Sequence, residues 1–243
     1  FSVSADNIYS RGPHFYIYVI MYFGAILYLS ISTIITAREF QNRSRMLIYP
    51  LILFVMVETI IQVALPELHV TWLCVTLLSV LYFIYCNEMW NQLDALTGLL
   101  NQNSYLKQTQ KIKYNSGVLV VFDVDDFKQV NDCHGHVKGD LCLAGIAECI
   151  KKAYADFGYC YRIGGDEFCV LLKNRAKEEE CKQEFLRRWT EKRRKFTFFP
   201  TVSYGSAPVS GEDIAVVKDR ADQDMYQYKK GRKKHGSSGV LSK

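Results

Sequence analysis

The sequence predicts a membrane-spanning α-helical region followed by an α+β domain of ferredoxin-like topology. The first 93 of the 243 residues carry four basic and five acidic side chains (net −1), whereas the last 150 carry 26 and 20 (net +6). The first part consists mainly of long apolar runs, and the second alternates between strand-like and helix-like segments. A single water-soluble globule is therefore excluded. A disordered chain is also excluded, because 14 Phe, 16 Tyr and 3 Trp supply too much apolar surface to remain unfolded.

Three apolar runs in the first part predict transmembrane helices at about residues 15–36, 46–65 and 70–90. Each run approaches the ~20 residues that a helix needs to cross a hydrocarbon core of ~30 Å. Before residue 87 their only charged side chain is Glu58, and a charge at the centre of a bilayer costs about 2.5–3.5 kcal/mol. Glu58 shares a helix face with Gln62. A functional site and a structural hydrogen-bonded pair remain equally open for these two residues.

The charges of the intervening loops predict the orientation in the lipid bilayer. The loop 37–45 contains three arginines, whereas the loop 66–69 contains one charged residue, Glu67. The positive-inside rule therefore places the first loop, and everything after the third helix, in the cytoplasm. We expect a multi-pass transmembrane region of residues 1–93. Because the chain begins with Phe1 on the outside, we also expect further sequence before it.

The eight cysteines predict free thiols rather than a structural zinc site. They contain no C-x-x-C pair and no histidine at zinc-finger spacing. Six of them lie in the second part of the chain, and several, such as Cys142 and Cys169, fall within apolar patterns. This distribution is typical of buried thiols in a reducing compartment, in agreement with a cytoplasmic domain.

The second part begins with a polar segment that predicts a helix around residues 102–114. The continuous apolar run 117–123 then predicts a buried central strand, since it has the length and the β-branched bias of such strands. Asp123 lies at the end of this strand. Residues 139–155 follow with an apolar face at helical spacing, which predicts a second helix.

A β-hairpin is predicted around Gly164 and Gly165. The flanking segments 159–163 and 166–172 are strand-like. Two glycines between them can adopt the positive φ angles of the tightest turns. The hairpin would present two acidic residues beside its tip.

Three further segments complete the predicted domain. A charged helix around 177–195 leads to a strand at 196–204, and the last helix, at about 211–229, has apolar residues every three or four positions. In chain order the elements are β-α-β-β-α-β-α, which begins as the split βαβ, ferredoxin-like pattern. The domain is expected to span residues 94–234, and the Gly- and Ser-containing segment 235–243 is expected to be a flexible tail.

Several acidic residues follow the first strand, but they do not form an EF-hand loop. Counted from Asp123, position 6 is Lys128 rather than Gly, and position 12 is His134 rather than Glu. His134 and His136 lack a fixed helical spacing, so they give only weak evidence of a metal site.

The predicted topology brings other carboxylates together. In the ferredoxin-like pattern the first and third strands are neighbours, so Asp123 is expected close to Asp166 and Glu167. Carboxylates that converge at a hairpin tip can hold a hard cation such as Mg²⁺ against nucleotide phosphates. Acidic residues at such a tip can also be simply solvated, and topology alone leaves both interpretations open.

The full set of motifs resembles the GGDEF-domain diguanylate cyclases. The signature Gly-Gly-Asp-Glu-Phe occupies residues 164–168 and is preceded by Arg162, as is usual in that family. Other segments of this sequence match the family's opening motif, nucleotide-site block and closing elements, at residues 94–101, 123–140, 203–205 and 221–226. The resemblance covers residues 94–234 with several motifs in order, which makes chance agreement improbable.

This resemblance implies an enzyme that condenses two GTP molecules into cyclic di-GMP and releases two pyrophosphates. It assigns the binding of Mg²⁺, with Mn²⁺ as a possible substitute, to Asp123, the Val124 carbonyl, Asp166 and Glu167. Asp166 is the position often assigned as the general base, and Glu167 is the second catalytic candidate.

The resemblance also implies a binding site for GTP. Asn131 and Asp140 match the residues that read guanine, and their amide and carboxylate groups suit the edge of that base. His136 is expected to be a substrate neighbour or a packing residue. The residues assigned to the phosphates are Phe127, through its backbone amide, Lys128, Lys229, and either Arg232 or Lys233.

Two departures from the family pattern change these expectations. The product-inhibition motif Arg-x-x-Asp would fall where this chain has Ala155 and Gly158, so no inhibitory site is expected. The last helix of the family carries a Lys and an Arg four residues apart. Lys229 matches the Lys, but the Arg position holds Lys233 unless Arg232 substitutes after a one-residue deletion.

The expected protein is a membrane-anchored diguanylate cyclase of a bacterial-type plasma (inner) membrane. Because each domain would hold one GTP, the active unit is expected to be a homodimer. Only seven residues separate Cys86 from Asp94, which implies that the membrane region is coupled to the domain. The alternative is a catalytically weak or inactive domain that binds GTP as a regulatory module. The basic run 192–195 is expected to be a solvated helix end, and no nucleic-acid partner is expected.

Overall fold

The computed structural model describes residues 71–111 and 117–237, together with scattered positions between residues 2 and 64. The chain divides into two units, Phe1–Trp90 and Asn91–Lys243. The described elements of the first unit are two short antiparallel strands and one helix: β1 (Ser2–Val3), β2 (Tyr9–Ser10) and α1 (Thr71–Trp90).

The first unit contains the three predicted membrane spans. The described positions within residues 16–31 and 53–64 are helical, and the other positions of the first two spans lie outside the described residues. The third predicted span coincides in position with α1. Among the residues that the structure describes, no helix is both long enough and apolar enough to cross a membrane. Glu58 is buried in this unit, whereas Gln62 lies outside the described residues.

The second unit is an α+β domain with four strands. Its elements in chain order are α2 (Gln102–Lys111), β3 (Gly117–Val124), α3 (Phe127–His134), α4 (His136–Tyr154), β4 (Gly158–Arg162), β5 (Glu167–Leu172), a short 3₁₀ helix (Arg175–Lys177), α5 (Glu178–Lys195), β6 (Val202–Val209) and α6 (Ile214–Ser237).

The four strands form one antiparallel sheet in the order β4-β5-β3-β6. β3 is therefore an inner strand, paired with β5 on one side and β6 on the other; Val120, for example, is opposite Val170 and Ser206. This arrangement confirms the predicted ferredoxin-like order, in which the first and third strands of the domain are neighbours.

The side chains of β3 alternate between two hydrophobic cores. Val118, Val120, Phe122 and Val124 pack in a core with residues of α4 and α5. Leu119 and Val121 point to the opposite face, where the core includes residues of α2 and α6. Since both faces are covered, the strand is apolar at almost every position, which explains its continuous apolar run.

The predicted strand at 196–204 begins too early. In the structure β6 starts at Val202, because the preceding aromatic residues pack as a loop instead of pairing with β3. Phe199 stacks on Trp189 of α5, with ring centroids 5.3 Å apart, and on Phe196 at 5.2 Å. Packing of these rings against the end of α5 offsets the local strand propensity.

Other boundaries also differ from the predictions. Helix α3 follows β3 directly and was not predicted. Helix α2 is described from Gln102 to Lys111, and residues 112–114 of its predicted range lie outside the described residues. Helix α6 runs from Ile214 to Ser237 and so extends into the segment expected to be a flexible tail.

In the basic run 192–195, Lys192 forms an ion pair with Glu148 of α4 at 2.5 Å, which links α4 to α5.

The cysteines of the domain are free, and most are buried. Five thiols are 0–1% exposed: Cys142, Cys149, Cys160, Cys169 and Cys181. Burial raises the thiol pKa of Cys142, Cys149 and Cys181 to about 11, which keeps them protonated and unreactive. Cys133 does not fit the prediction, since it is exposed.

Gly205 allows β6 and α6 to approach closely. A Cβ at this position would lie deep inside van der Waals contact with the Met225 nitrogen and the Ala221 carbonyl oxygen, both backbone atoms of α6. Gly205→Ala should therefore destabilise the chain by about 1–3 kcal/mol, the usual cost of an overpacked core. Urea denaturation followed by circular dichroism measures this change.

Gly231→Ala is the matched control on the same helix, because a Cβ there would meet nothing within 4 Å. It should stabilise the chain slightly, by about 0.5–1 kcal/mol, through helix propensity. Equal effects of the two substitutions would contradict the close packing of α6 on β6.

Candidate active site

The Asp123 side chain, near the end of β3, lies on the face of the sheet that α6 covers. Asp123 follows Leu119 and Val121 by the period of two of a strand, so it shares their face. It is paired with Glu167 at the start of β5 and with Ser203 near the start of β6. The strand periodicity therefore places these three residues on one face, as predicted for Asp123 and Glu167.

The turn between β4 and β5 is tied to the end of β3. The Ile163 N–H donates to the Glu167 carbonyl (3.0 Å) and closes the hairpin, and the Val124 N–H donates to the Asp166 carbonyl (3.3 Å). These bonds fix the backbone of the acidic tip relative to the strand that carries Asp123. The side chain of Asp166 is half-buried and that of Glu167 is exposed.

The predicted reason for the two glycines of the turn is wrong. Neither Gly164 nor Gly165 adopts a positive φ angle. A Cβ at Gly164 would lie 3.2 Å from the Glu167 side chain, whereas a Cβ at Gly165 would meet nothing within 4 Å. No neighbouring atom therefore requires glycine at position 165. The missing side chain leaves the backbone there accessible, which suits the close approach of a ligand.

Arg162 joins this turn to the segment that opens the domain. Its Nη1 donates to both carboxylate oxygens of Asp94 (3.0 and 3.2 Å), and its Nε and Nη2 donate to the Gly165 carbonyl (3.2 and 2.7 Å). Burial raises the pKa of Asp94, but hydrogen bonds from Thr97 and Arg162 outweigh this effect, and the net pKa is lowered. The ionised Asp94 thus orients Arg162, which in turn holds the backbone of the turn.

Two basic residues of α6 face the end of β3. Lys229 Nζ donates to Asp123 Oδ1 at 2.5 Å and lies 3.4 Å from Asp125 Oδ1. Partial burial lowers the pKa of Lys229, but the bonds to Asp123 and Asp125 outweigh it, so the net pKa is raised and the ammonium stays charged. Arg232 Nη1 lies 3.4 Å from Asp125 Oδ2 and donates to the Val202 carbonyl at 3.2 Å. Arg232, three residues after Lys229, therefore reaches the site.

The segment after β3 forms a sharp bend before α3. Asp126 has a φ of 53° and is the only non-glycine residue with a positive φ in the described part of the chain. Asp125 lies just before this bend and is buried beneath the start of β6, where its N–H donates to the Thr201 carbonyl at 2.9 Å. The bend allows α3 to begin at Phe127 immediately after the strand.

The predicted guanine-binding residues lie around the junction of α3 and α4. Asn131 packs tightly against Gly139, whose Cβ would collide with the Asn131 side-chain oxygen. Asp140, next to Gly139, is exposed at the start of α4. The close packing fixes the Asn131 side chain beside the helix that carries Asp140.

Other predicted substrate residues are more exposed. Lys128 and His136 are exposed, and Phe127 is half-buried. The side chain of Lys233 lies outside the described residues. The structure therefore brings Asp123, Glu167, Lys229 and Arg232 to one strand end, and it leaves Lys128 and His136 on the surface.

The oxygen atoms at this strand end are of the kinds that bind a divalent cation. Carboxylate and carbonyl oxygens are hard ligands, and Asp123 already accepts a positively charged partner, the Lys229 ammonium. However, in the described part of the chain no three His, Cys, Asp or Glu side chains cluster closely enough to hold a metal ion. Asp123, Asp166 and Glu167 thus supply suitable oxygens without forming a preassembled cage.

Asp125 and its partners Thr201 and Ser203 are residues of this strand end that were not predicted from the sequence. The Thr201 hydroxyl donates to Asp125 Oδ2 at 2.5 Å, and the Ser203 hydroxyl donates to Oδ1 at 2.6 Å. One signal was available: Asp125 follows Asp123 by two residues, the spacing of side chains that share one face of a strand.

Comparison with known proteins agrees with this geometry. The family model described as "Diguanylate cyclase, GGDEF domain" matches residues 91–235, more than half of the chain. The chain is similar to the diguanylate cyclase DgcS of Shewanella oneidensis, with 31% identity over 150 residues, which cover 58% of this chain and 51% of that protein. It is also similar to the probable diguanylate cyclase DgcJ of Escherichia coli, with 41% identity over 85 residues, or 32% of this chain and 17% of that protein. The matches thus span about half the length of these relatives or less.

Solved structures show the same fold. The coiled coil and GGDEF domain of DgcB from Caulobacter crescentus, in complex with c-di-GMP, superimposes with a TM-score of 0.55 at 25% identity. That match covers 65% of this chain and 93% of the DgcB chain. The GGDEF domain of DgcB alone, also in complex with c-di-GMP, gives a TM-score of 0.50 at 27% identity, covering 58% and 91%. The signature turn, the antiparallel sheet and these matches show that the chain belongs to the GGDEF-domain family of diguanylate cyclases.

Proposed function

We propose that this chain is a diguanylate cyclase, which condenses two GTP molecules into cyclic di-GMP and releases two pyrophosphates. One observation carries the proposal: the signature turn is bonded to the end of β3, where Asp123 faces Lys229 of α6. Carboxylates for a cation and basic groups for phosphates therefore meet at one strand end. The similar proteins are diguanylate cyclases by name, and the similar DgcB structures contain c-di-GMP.

The proposed reaction is a phosphoryl transfer in two equivalent steps. The 3′-oxygen of one GTP forms a bond to the α-phosphorus of the other, the bond between the α and β phosphates breaks, and pyrophosphate leaves. The same step in the opposite sense closes the ring. Asp166 accepts the proton of the 3′-hydroxyl, with Glu167 as the second candidate for this role.

The remaining site residues bind and orient GTP. Asn131, held against Gly139, and Asp140 contact the guanine edge. Lys229 and Arg232 bind the phosphates, assisted by Lys128 and by the backbone N–H of Phe127. His136, exposed at the start of α4, is a neighbour of the substrate.

The cofactor that we propose is Mg²⁺, with Mn²⁺ as a substitute. The oxygens that would hold it belong to Asp123, Asp166, Glu167 and the Val124 carbonyl. When bound, such an ion lowers the pKa of the attacking hydroxyl and neutralises charge on the phosphate.

The active unit that we propose is a homodimer. Each domain offers one set of guanine- and phosphate-binding residues, so two nucleotides react only when two domains face each other. We also propose that the N-terminal region anchors the chain in a bacterial-type plasma membrane with the catalytic domain in the cytoplasm. The apolar runs of the sequence and the arginines of the loop 37–45 support this part of the proposal.

A GTP-binding regulatory module without turnover is the second candidate. The spacing of Lys229 and Arg232 favours it, since the two residues are three rather than four positions apart, unlike the pattern implied by the family resemblance. Retention of Asp123 and Asp166 favours the enzyme.

Incubation of the full chain with GTP and Mg²⁺, followed by chromatography of the products, separates the two candidates. We expect cyclic di-GMP and pyrophosphate in a ratio of one to two. Nucleotide binding without any cyclic dinucleotide, in a preparation shown to be dimeric, would support the regulatory module and reject the cyclase.

Asp166→Asn should lower the rate of cyclic di-GMP formation by about 100-fold or more, because it removes a proton acceptor and a charged metal ligand. The fold should not change, since Asp166 contributes its backbone carbonyl, not its side chain, to the bond with Val124. The rate is measured by product chromatography and the fold by circular dichroism. Asp156→Asn, an exposed acid in the turn after α4, is the control and should keep the wild-type rate. An active Asp166→Asn variant would contradict the assignment.

Lys229→Met should strengthen the binding of Mn²⁺ to the nucleotide-free chain by about tenfold or more. The substitution removes a positive charge that lies 2.5 Å from Asp123 Oδ1, where it opposes a second cation. Electron paramagnetic resonance of free Mn²⁺ measures the affinity. Lys230→Met is the control, because Lys230 is exposed and lies over the ring of Tyr226 instead. If both variants bind Mn²⁺ as the wild type does, Asp123 is not part of a cation site.

A further inference from the structure

Asp125 is a charged residue to which the proposed chemistry gives no role. The residue as a whole is 8% exposed, and in the described part of the second unit no other charged residue is buried. Burying a carboxylate is costly unless the charge is paired and its oxygens accept hydrogen bonds. The partners of Asp125 therefore indicate what its charge does.

Two hydroxyl groups fix the orientation of the carboxylate. Ser203 donates to one oxygen at 2.6 Å and Thr201 donates to the other at 2.5 Å. The backbone N–H of Asp125 donates to the Thr201 carbonyl at 2.9 Å, so the main chain is held as well. With both oxygens hydrogen-bonded and the backbone anchored, the carboxylate has little freedom to follow a moving ligand.

Two cations from α6 lie on opposite oxygens of this fixed carboxylate. Lys229 Nζ is 3.4 Å from Oδ1 and Arg232 Nη1 is 3.4 Å from Oδ2. These separations exceed the 2.7–2.9 Å of close charge-assisted hydrogen bonds, so charge attraction holds the cations here more than tight bonding does. Asp125 acts as a common counter-ion for two side chains that would otherwise repel each other.

The cations keep donors that can bind a ligand. Arg232 uses Nη1 for both of its hydrogen bonds within the described residues, to Asp125 and to the Val202 carbonyl. Its Nε and Nη2 have no hydrogen-bond partner in that part of the structure, and a guanidinium offers its donors in a planar fork that matches phosphate. The Lys229 and Arg232 side chains are 31% and 39% exposed, so solvent and nucleotide can reach them.

We propose that Asp125 is a positioning residue for the β- and γ-phosphates of GTP. It holds Lys229 and Arg232 side by side before the nucleotide arrives, and so it raises the affinity for a triphosphate over a monophosphate. This inference rests on the proposed function, because it takes GTP as the ligand. Asp125 itself touches neither the phosphates nor the reacting atoms.

Two opposing effects decide whether neutralising Asp125 raises or lowers the affinity for a triphosphate. Neutralising Asp125 leaves the site more positive, which attracts a triphosphate. It also releases two long side chains, and ordering them when the nucleotide binds then costs free energy. The heads of both cations are partly exposed, so water and salt screen the added charge, and the loss of order outweighs it.

The test compares the affinities of the full chain for a triphosphate and a monophosphate. The probes are GMP and a GTP analogue with a methylene bridge between its α and β phosphorus atoms, which cannot be turned over, each with Mg²⁺ in calorimetric titrations. In Asp125→Asn the ratio of the two affinities should fall about tenfold, the loss expected from one weakened charge-assisted contact. The affinity for GMP should stay within about twofold of the wild type.

Asp126→Asn is the matched control. It removes the same charge one residue away, its side chain is exposed, and Asn tolerates the left-handed φ at this position. Its affinity ratio should equal that of the wild type. A fall of the same size in both variants would overturn the proposal, because the effect would then come from net charge alone.

A double-mutant cycle with Arg232→Gln separates positioning from a general structural role. If Asp125 acts through Arg232, Asp125→Asn should change the affinity ratio much less in the Arg232→Gln background than in the wild type. Equal changes in the two backgrounds would overturn the proposed link to Arg232. Should Asp125→Asn fail to fold, as judged by circular dichroism, Ser203→Ala replaces it in the cycle, since it removes one orienting hydroxyl and retains the charge.

The readout also separates this inference from the proposed cyclase. A wild-type chain that binds the GTP analogue but forms no cyclic di-GMP would reject the cyclase and leave the role of Asp125 testable. A wild-type chain that forms product, with an unchanged affinity ratio in Asp125→Asn, would reject the inference alone.

Discussion

The inner position of β3 is the constraint on which the site depends. Strands β5 and β6 pair with it on both sides, and this register sets Asp123 opposite Glu167 and Ser203. A slip of one residue would turn Asp123 to the face covered by α4 and α5, far from α6. The slip is prevented by the burial of Phe122 and Val121, which pack in different cores on opposite faces. The hydrophobic alternation of one strand therefore also determines which carboxylates can act together.

Helix α6 supplies the opposite charge from a distant part of the chain. Its close packing on β6, which depends on Gly205, places Lys229 and Arg232 at the end of β3. Without nucleotide these cations are balanced by Asp123 and Asp125, so the charges of the site are largely paired within the protein. In the function that we propose, a magnesium nucleotide would bring both a cation for the carboxylates and phosphates for the basic groups. The arrangement would therefore favour binding of the metal together with the triphosphate over binding of the metal alone.

The features predicted correctly from the sequence are those that hydrophobic periodicity and short motifs determine. The strand period and the motif order gave the ferredoxin-like topology, the hairpin and the proximity of Asp123 to Glu167, and the family identification is confirmed. The early start assigned to β6 failed because Phe199 stacks on Trp189 of α5, a packing contact that local strand propensity does not include. The burial of Asp125 was missed for the same reason, since its partners lie on β6 and α6, far along the chain. The period-two spacing of Asp123 and Asp125 places both side chains on one face, but it does not reveal which distant residues pair with Asp125.

A crystal structure of the full chain with a non-reactive GTP analogue and Mg²⁺ tests the central claim most directly, namely that the carboxylates at the end of β3 and the cations of α6 form one nucleotide site. The account predicts that the phosphates lie between Asp123 and Arg232, with the Lys229 ammonium transferred from Asp123 Oδ1 to a phosphate oxygen. A nucleotide bound elsewhere, with the Lys229–Asp123 ion pair unchanged, would contradict it.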